Sequence, residues 1–270
     1  MNYQLVQPSL VLQPFIKHYW ILQENKLPKE VCIPRIYPTG FTELIYYYGD
    51  RYIQIDKNNR KTLQPPFFFT GQSSEYYDIS PTGKIGLIAV TFKPDAAKLF
   101  FKLPVNEVEN NFAALEDILG MTVRNLEYEL YISKGNSERI QIIEKFLIQQ
   151  LKELYTEEHK RINYSINKIN QQRGLVSVES LADYACLSTK QFNRKFTEFV
   201  GMKPKQFTRI VRFQNAIYNQ QIQSVKNLTE LAYKCGYYDQ AHFTNEFKSF
   251  TGYAPKDFFK LCEPCSDYFS

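Results

Sequence analysis

Lys190, Asn193 and Arg194 lie within five residues of one another, spaced to share one side of a helix. Arg and Asn make paired hydrogen bonds to guanine and adenine edges, and Lys donates to guanine acceptors or to phosphate. Gln240, Ala241, Thr244 and Asn245 form a second cluster about fifty residues later. Donors surround both clusters. Ser188, Lys195, Lys203, Lys205 and Arg209 flank the first, and Lys248 follows the second. These are the residue types that grip a phosphate backbone, and they set register without reading sequence. Between Ser188 and Arg212 there are seven basic side chains and one acid, Glu198. The chemistry implied is duplex DNA recognition, bases from the helix faces and phosphates from the flanks.

The elements that must hold these side chains are written twice. Leu181-Ala182, Phe192, Phe196, Gly201, Pro204 and Phe207 recur as Leu231-Ala232, Phe243, Phe247, Gly252, Pro255 and Phe258. The offset is 50 residues before the turn and 51 after it, so the second copy has one extra residue in the turn. In the first copy Val178–Ala185 predicts a short helix and Cys186-Leu187 a turn. Ser188 with Gln191 predicts a capping box opening a second helix, which Gly201 and Pro204 end. In the second copy Asn227 and Glu230 predict the start of the supporting helix, and Asp239 caps the reading helix. At 100° per residue, Phe192 and Phe196 share one side while Lys190, Asn193 and Arg194 face away. Lys205–Gln221 reads as one long connecting helix. A rigid connector holds two reading helices on one side of a duplex, ~34 Å apart.

Bulk composition is that of an ordinary globular chain, 44% hydrophobic and 23% charged over 270 residues. That length suits two domains. The net charge of +5 comes wholly from residues 156–270, which hold 16 basic and 11 acidic residues. No run approaches the length of a membrane span and Met1-Asn2-Tyr3-Gln4 lacks a charged-then-apolar signal, so the expected location is cytoplasmic. Five scattered cysteines argue against a disulfide framework. Cys262-Glu263-Pro264-Cys265 has metal-site spacing, but three histidines supply no second ligand pair. The expectation is a frayed tail over 262–270, with no metal and no cofactor.

Residues 1–105 read mainly as strands. Glu43–Tyr48, Phe67–Thr70 and Ile85–Phe92 are β-rich runs bounded by Gly, Pro and Asp, suited to a small antiparallel barrel or sandwich. A short helix is expected over Ala96–Phe101, and helical periodicity from about Asn111. Ile140, Ile143, Leu147, Leu151 and Leu154 make one apolar stripe, which either packs on its own domain or forms the seam of a homodimer. Polar residues 156–161 read as a linker. The fold class expected is α+β: residues 1–155 as a β-rich domain ending in the striped helix, and 162–261 as an all-α domain.

Over about residues 160–261 the chain resembles the AraC/XylS family of transcription regulators. The resemblance rests on the run from Leu231-Ala232 through Gly236-Tyr237, Asp239, Phe243, Phe247-Lys248 and Gly252 to Pro255. It implies base contacts from Lys190, Asn193 and Arg194, and from Gln240, Ala241 and Asn245 in the second unit. The family usually carries Arg where Asn245 stands, so the first unit is expected to supply more of the affinity. Arg35–Gly40 with Glu43-Leu44, and Gly86–Pro94, resemble more weakly the cupin-like sensory domains of such regulators. That implies a barrel whose interior either holds a small organic effector or is filled as a core. The effector would lie among Trp20, Tyr37, Tyr46, Tyr48 and Phe92, with Arg35 or Glu43 orienting it. A DNA-bound regulator that activates would also touch RNA polymerase. Two other readings remain: a non-specific nucleoid-type protein, and an enzyme fused to a DNA-binding module. The second is disfavoured because residues 1–155 offer only Cys32 and His18 as reactive groups.

Overall fold

The computed structural model describes residues 2–24, 34–101, 104–151, 156–223, 225, 227–261, 266 and 268–269. Cys32, Cys262, Cys265 and Leu154 lie outside these. The N-terminal half contains β1 (Asn2–Val6), β2 (Ile16–Glu24), β3 (Arg35–Ile36), β4 (Thr42–Tyr47) and β5 (Tyr52–Ile55). It continues with β6 (Lys61–Leu63), β7 (Phe67–Thr70), β8 (Tyr77–Pro81), β9 (Ile85–Phe92), α1 (Ala97–Phe100) and β10 (Phe112–Ala114). Helices α2 (Leu115–Leu119), α3 (Val123–Ile132) and α4 (Asn136–Gln150) complete it. The helical stretch expected from Asn111 thus opens with a strand, which pairs with β7 through Phe112 opposite Thr70.

The strands form two antiparallel sheets, ordered β1-β2-β9-β4-β7-β10 and β3-β8-β5-β6. Strand alternation gives the large sheet two apolar faces. Ile45, Tyr47, Phe68, Leu87 and Ala89 cluster with Tyr52 and Ile79 of the small sheet. Leu44, Tyr46, Phe67, Phe69, Ile88, Val90 and Phe92 cluster with α1 to α4. The half is therefore layered as small sheet, large sheet and helices, with the large sheet buried on both sides. That accounts for the apolar run Ile85–Val90 of β9, a strand in which every residue is buried.

The same layering settles the stripe on α4. Ile143 and Leu147 are almost fully buried in the core beneath the large sheet, joined by Ile140 and, at the edge, Leu151. They pack on their own domain, and the dimer seam is not available without opening that core.

The C-terminal half is helical: α5 (Glu157–Gln171), α6 (Val178–Tyr184), α7 (Thr189–Val200), α8 (Pro204–Gln223), α9 (Leu228–Lys234), α10 (Gln240–Thr251) and α11 (Pro255–Leu261). Residues 157–161, read as a linker, are the first turn of α5. Thr156 caps it by accepting from His159 N, and Glu157 and Glu158 complement the positive end of the helix. Polarity there is a helix-start signal rather than a sign of loop.

The two halves interlock. Tyr37 stands edge-on to Phe213 of α8 and Phe258 of α11, at 6.0 and 5.5 Å. Buried Asp95 accepts from Asn163 at 3.0 Å, and His159 Nε2 lies 2.9 Å from the same carboxylate, both residues being on α5. Ser266 and Tyr268, within the segment read as a frayed tail, pack at the same seam. Tyr268 stacks on Phe41 at 5.0 Å, touches Phe207, and donates its hydroxyl to Asn170 at 2.8 Å. Ser266 donates to Gln214 at 2.7 Å.

Candidate nucleic-acid interface

Both helix-turn-helix units form, with matching lengths. α6 and α9 have seven residues each, and α7 and α10 have twelve. In the first unit the Ser188 hydroxyl accepts from Gln191 N while the Gln191 carboxamide accepts from Ser188 N. In the second, Asp239 accepts from His242 N at 2.7 Å. α7 and α10 end on Gly201 and Gly252, both left-handed, at φ 88° and 76°. Phe192, Phe196, Phe243 and Phe247 are fully buried in the shared core, where losing any one costs about 3–5 kcal/mol.

The extra residue lies between the helices of the second unit. Four residues join α6 to α7, and five, Cys235 to Asp239, join α9 to α10. In both turns the second residue is left-handed, Cys186 at φ 52° and Gly236 at φ 73°. A side chain in that conformation costs about 1–2 kcal/mol, so the first turn is built on a strained cysteine. Its thiol is exposed, whereas Cys235 is buried and its thiol is pushed up to about 12 by desolvation.

With the aromatics inward, the candidate readers point out. Lys190, Arg194, Gln240, Ala241 and Asn245 are exposed, and Asn193 and Thr244 are half-buried. Two are tied locally: Asn193 donates to Thr189 O at 2.8 Å, and Gln240 accepts from Thr229 at 2.6 Å. A shallow depression of about 620 Å³ runs along α7 past Asn193, Arg194 and Thr197 to Lys203. Asn106 of the N-terminal half forms its far wall.

The expected phosphate contacts divide. Lys203, Lys205 and Lys248 are exposed. Ser188 is occupied as a cap, and Lys195 pairs with Glu158 at 2.6 Å and Glu198 at 3.6 Å. Arg209 is committed elsewhere. It pairs with Glu246 at 2.7 Å, and Arg212 approaches the same carboxylate at 2.9 Å. Burial alone would raise the Glu246 carboxyl, but hydrogen bonds and charge from the two arginines more than offset that, leaving it below its ordinary 4.5. This triad ties the connector α8 to the reading helix α10. Local spacing in the sequence carries no sign of this triad, because the partners of Glu246 lie 34 and 37 residues away.

The expected effector residues do not converge. Tyr46 and Phe92 lie on the helix side of the large sheet, with Tyr48 packed against it; Trp20 packs with the small-sheet side. Trp20 donates to Glu43 at 2.8 Å, and Thr91 to the same oxygen at 2.9 Å. Tyr47, Tyr52 and Phe68 fill the space between the sheets, the two tyrosines stacked at 5.3 Å. Tyr37 and Arg35 face the other half. Arg35 donates twice to Asp78, at 2.7 and 2.9 Å, and to the carbonyl of Thr251 at 3.3 Å. Its guanidinium lies between the rings of Tyr76 and Tyr253, at 4.2 and 4.7 Å. Arg35 is thus a latch on the last turn of α10.

This doubled geometry agrees with comparison to known proteins. Residues 181–261 match the helix-turn-helix domain family, and residues 4–114 match a domain of unknown function, DUF6597. Residues 181–261 form an AraC-type helix-turn-helix domain. An uncharacterized HTH-type transcriptional regulator of Haemophilus influenzae is 32% identical over 108 residues, 40% of this chain and 36% of that one. The HTH-type transcriptional regulator ArgR of Pseudomonas aeruginosa is 23% identical over 82 residues, 30% and 25% of the two chains. The chain thus spans about a third and a quarter of the lengths of these two relatives. The solved structure of ToxT from Vibrio cholerae O395 covers 86% of this chain and 94% of its own, at 11% identity and a TM-score of 0.47. Among the described residues no cluster of metal-ligating side chains occurs, and no helix is long and apolar enough to cross a membrane.

Proposed function

We propose that the chain is a sequence-specific DNA-binding transcription regulator whose AraC-type domain inserts α7 and α10 into successive major grooves. The observation that carries this is the doubled unit itself. Two equal-length helices are capped and terminated alike and joined by one rigid helix, and both turn hydrogen-bonding side chains outward. Lys190, Asn193 and Arg194 read bases in the first groove; Gln240, Ala241, Thr244 and Asn245 meet the second. Lys205 and Lys248 hold phosphates. Arg209 is a positioning residue that fixes the second helix. The N-terminal half serves as the regulatory domain, joined to the helical half through Asp95 and Tyr37 and to the reading helix α10 through Arg35.

Binding to duplex DNA over a range of salt tests this. Lys205→Ala should weaken binding evenly across sequences and reduce the salt slope by about one ion. Arg194→Ala should cost about 1–3 kcal/mol on the preferred site and much less on random DNA. Equal losses on both for Arg194→Ala would remove it as a base reader.

A further inference from the structure

The space between the two sheets is filled by Tyr47, Tyr52 and Phe68, so an effector needs another seat. A cleft of about 640 Å³ lies between the halves, within the size range of small-molecule sites. Glu75, Tyr76 and Glu109 line it from the N-terminal half; Lys203, Gln206 and Phe250 line it from the helical half. Each of its charged walls has a different status. Glu75 pairs with Lys57 at 2.7 Å, and Arg209 is held by Glu246. Glu109 and Lys203 both line the cleft, one from each half, and the Lys203 charge acts on the Glu109 carboxyl. Burial raises the Glu109 carboxyl above its ordinary value, with Lys203 pulling the other way. Half-buried Tyr76 lies on the cleft wall, and Phe250, only 1% exposed, closes its floor.

We infer that this cleft binds a small zwitterion, an amino acid or dipeptide with an apolar side chain, bridging Glu109 and Lys203. The ligand ammonium meets Glu109, its carboxylate meets Lys203, and its side chain lies against Tyr76 and Phe250. A ligand carrying both signs satisfies each of these charges at once. The seat also explains how occupancy would reach DNA. Tyr76 carries the Arg35 guanidinium, which holds the end of α10, and Lys203 immediately follows the turn that ends α7. The cleft therefore touches the carboxyl ends of both reading helices. This names the effector of the regulator proposed above, and its deciding readout is ligand binding rather than DNA binding.

The test is calorimetric titration and thermal shift on the full chain, using the common L-amino acids and their pairwise dipeptides as probes. At least one probe should bind, and its amine-free and carboxylate-free analogues should bind ~10-fold or more weakly. Glu109→Gln should weaken that probe by a similar factor while leaving unliganded melting and unliganded DNA affinity unchanged. Glu107→Gln, on the same turn and exposed, should bind as the parent does. No binding by any probe, or equal binding by Glu109→Gln, would overturn the assignment. Failure of DNA recognition with ligand binding intact would instead strike the regulator reading alone.

Discussion

Removing the carboxylate of Glu246 should expose what holds the second reading helix. The side chain is only 5% exposed and accepts from Arg209 and Arg212, which are 35% and 17% exposed. Deleting one member of a fully buried ion cluster costs about 3–5 kcal/mol, because the remaining charge loses its partner. Here Arg209 keeps substantial access to water and Arg212 some, so solvent screening reduces the figure to about 2–3 kcal/mol. For a chain of this size that is about 5–10 °C in melting temperature. Glu246→Gln keeps the shape and one acceptor and should lose somewhat less. The pH dependence fixes the mechanism. The folded carboxyl lies below its ordinary 4.5, so its stabilisation is present above that value and disappears as pH falls through the lower folded one. Thermal unfolding followed by circular dichroism should therefore show parent and Glu246→Gln well separated near neutrality and converging in acid. A gap independent of pH, or none at neutrality, would refute the charge argument.

Three further outcomes follow from the geometry. Cys186→Gly should stabilise the chain by about 1 kcal/mol, since the left-handed turn no longer carries a side chain; a loss in chemical denaturation would contradict this. Ser188→Ala removes the hydroxyl half of the capping box and should cost about 1 kcal/mol, with lower DNA affinity through the start of α7 and little change in salt slope. Tyr268→Ala empties a packed position between Phe41 and Phe207 and should cost about 3 kcal/mol, opening the seam to proteolysis between the halves. Unchanged proteolysis would mean that Tyr268 contributes nothing to the joint.

What could be seen in the sequence was local. The capping box of Ser188 and Gln191, the four-residue spacing of Phe192 and Phe196, and the terminating Gly201 all act within one or two turns. The helices formed within two residues of their expected ends. The misreadings share a different cause. Residues 157–161 looked like loop because a helix start is itself polar. Glu43 and Tyr46 were placed in one pocket although, three residues apart on a strand, they must point to opposite faces. Arg209 looked free because Glu246 lies 37 residues away. Nothing near Tyr268 signals Phe41, which only the docking of the two halves brings to it.

The most direct test of the central claim is selection of binding sites from random duplex DNA by the full chain, with Arg194→Ala alongside. Two reading helices on a rigid connector predict an enriched motif in two blocks about one helical turn apart. Arg194→Ala should blur one position in one block and leave the other intact. Salt-sensitive recovery of DNA without any enriched motif would contradict the account, because it would leave the outward side chains of α7 and α10 with no bases to read.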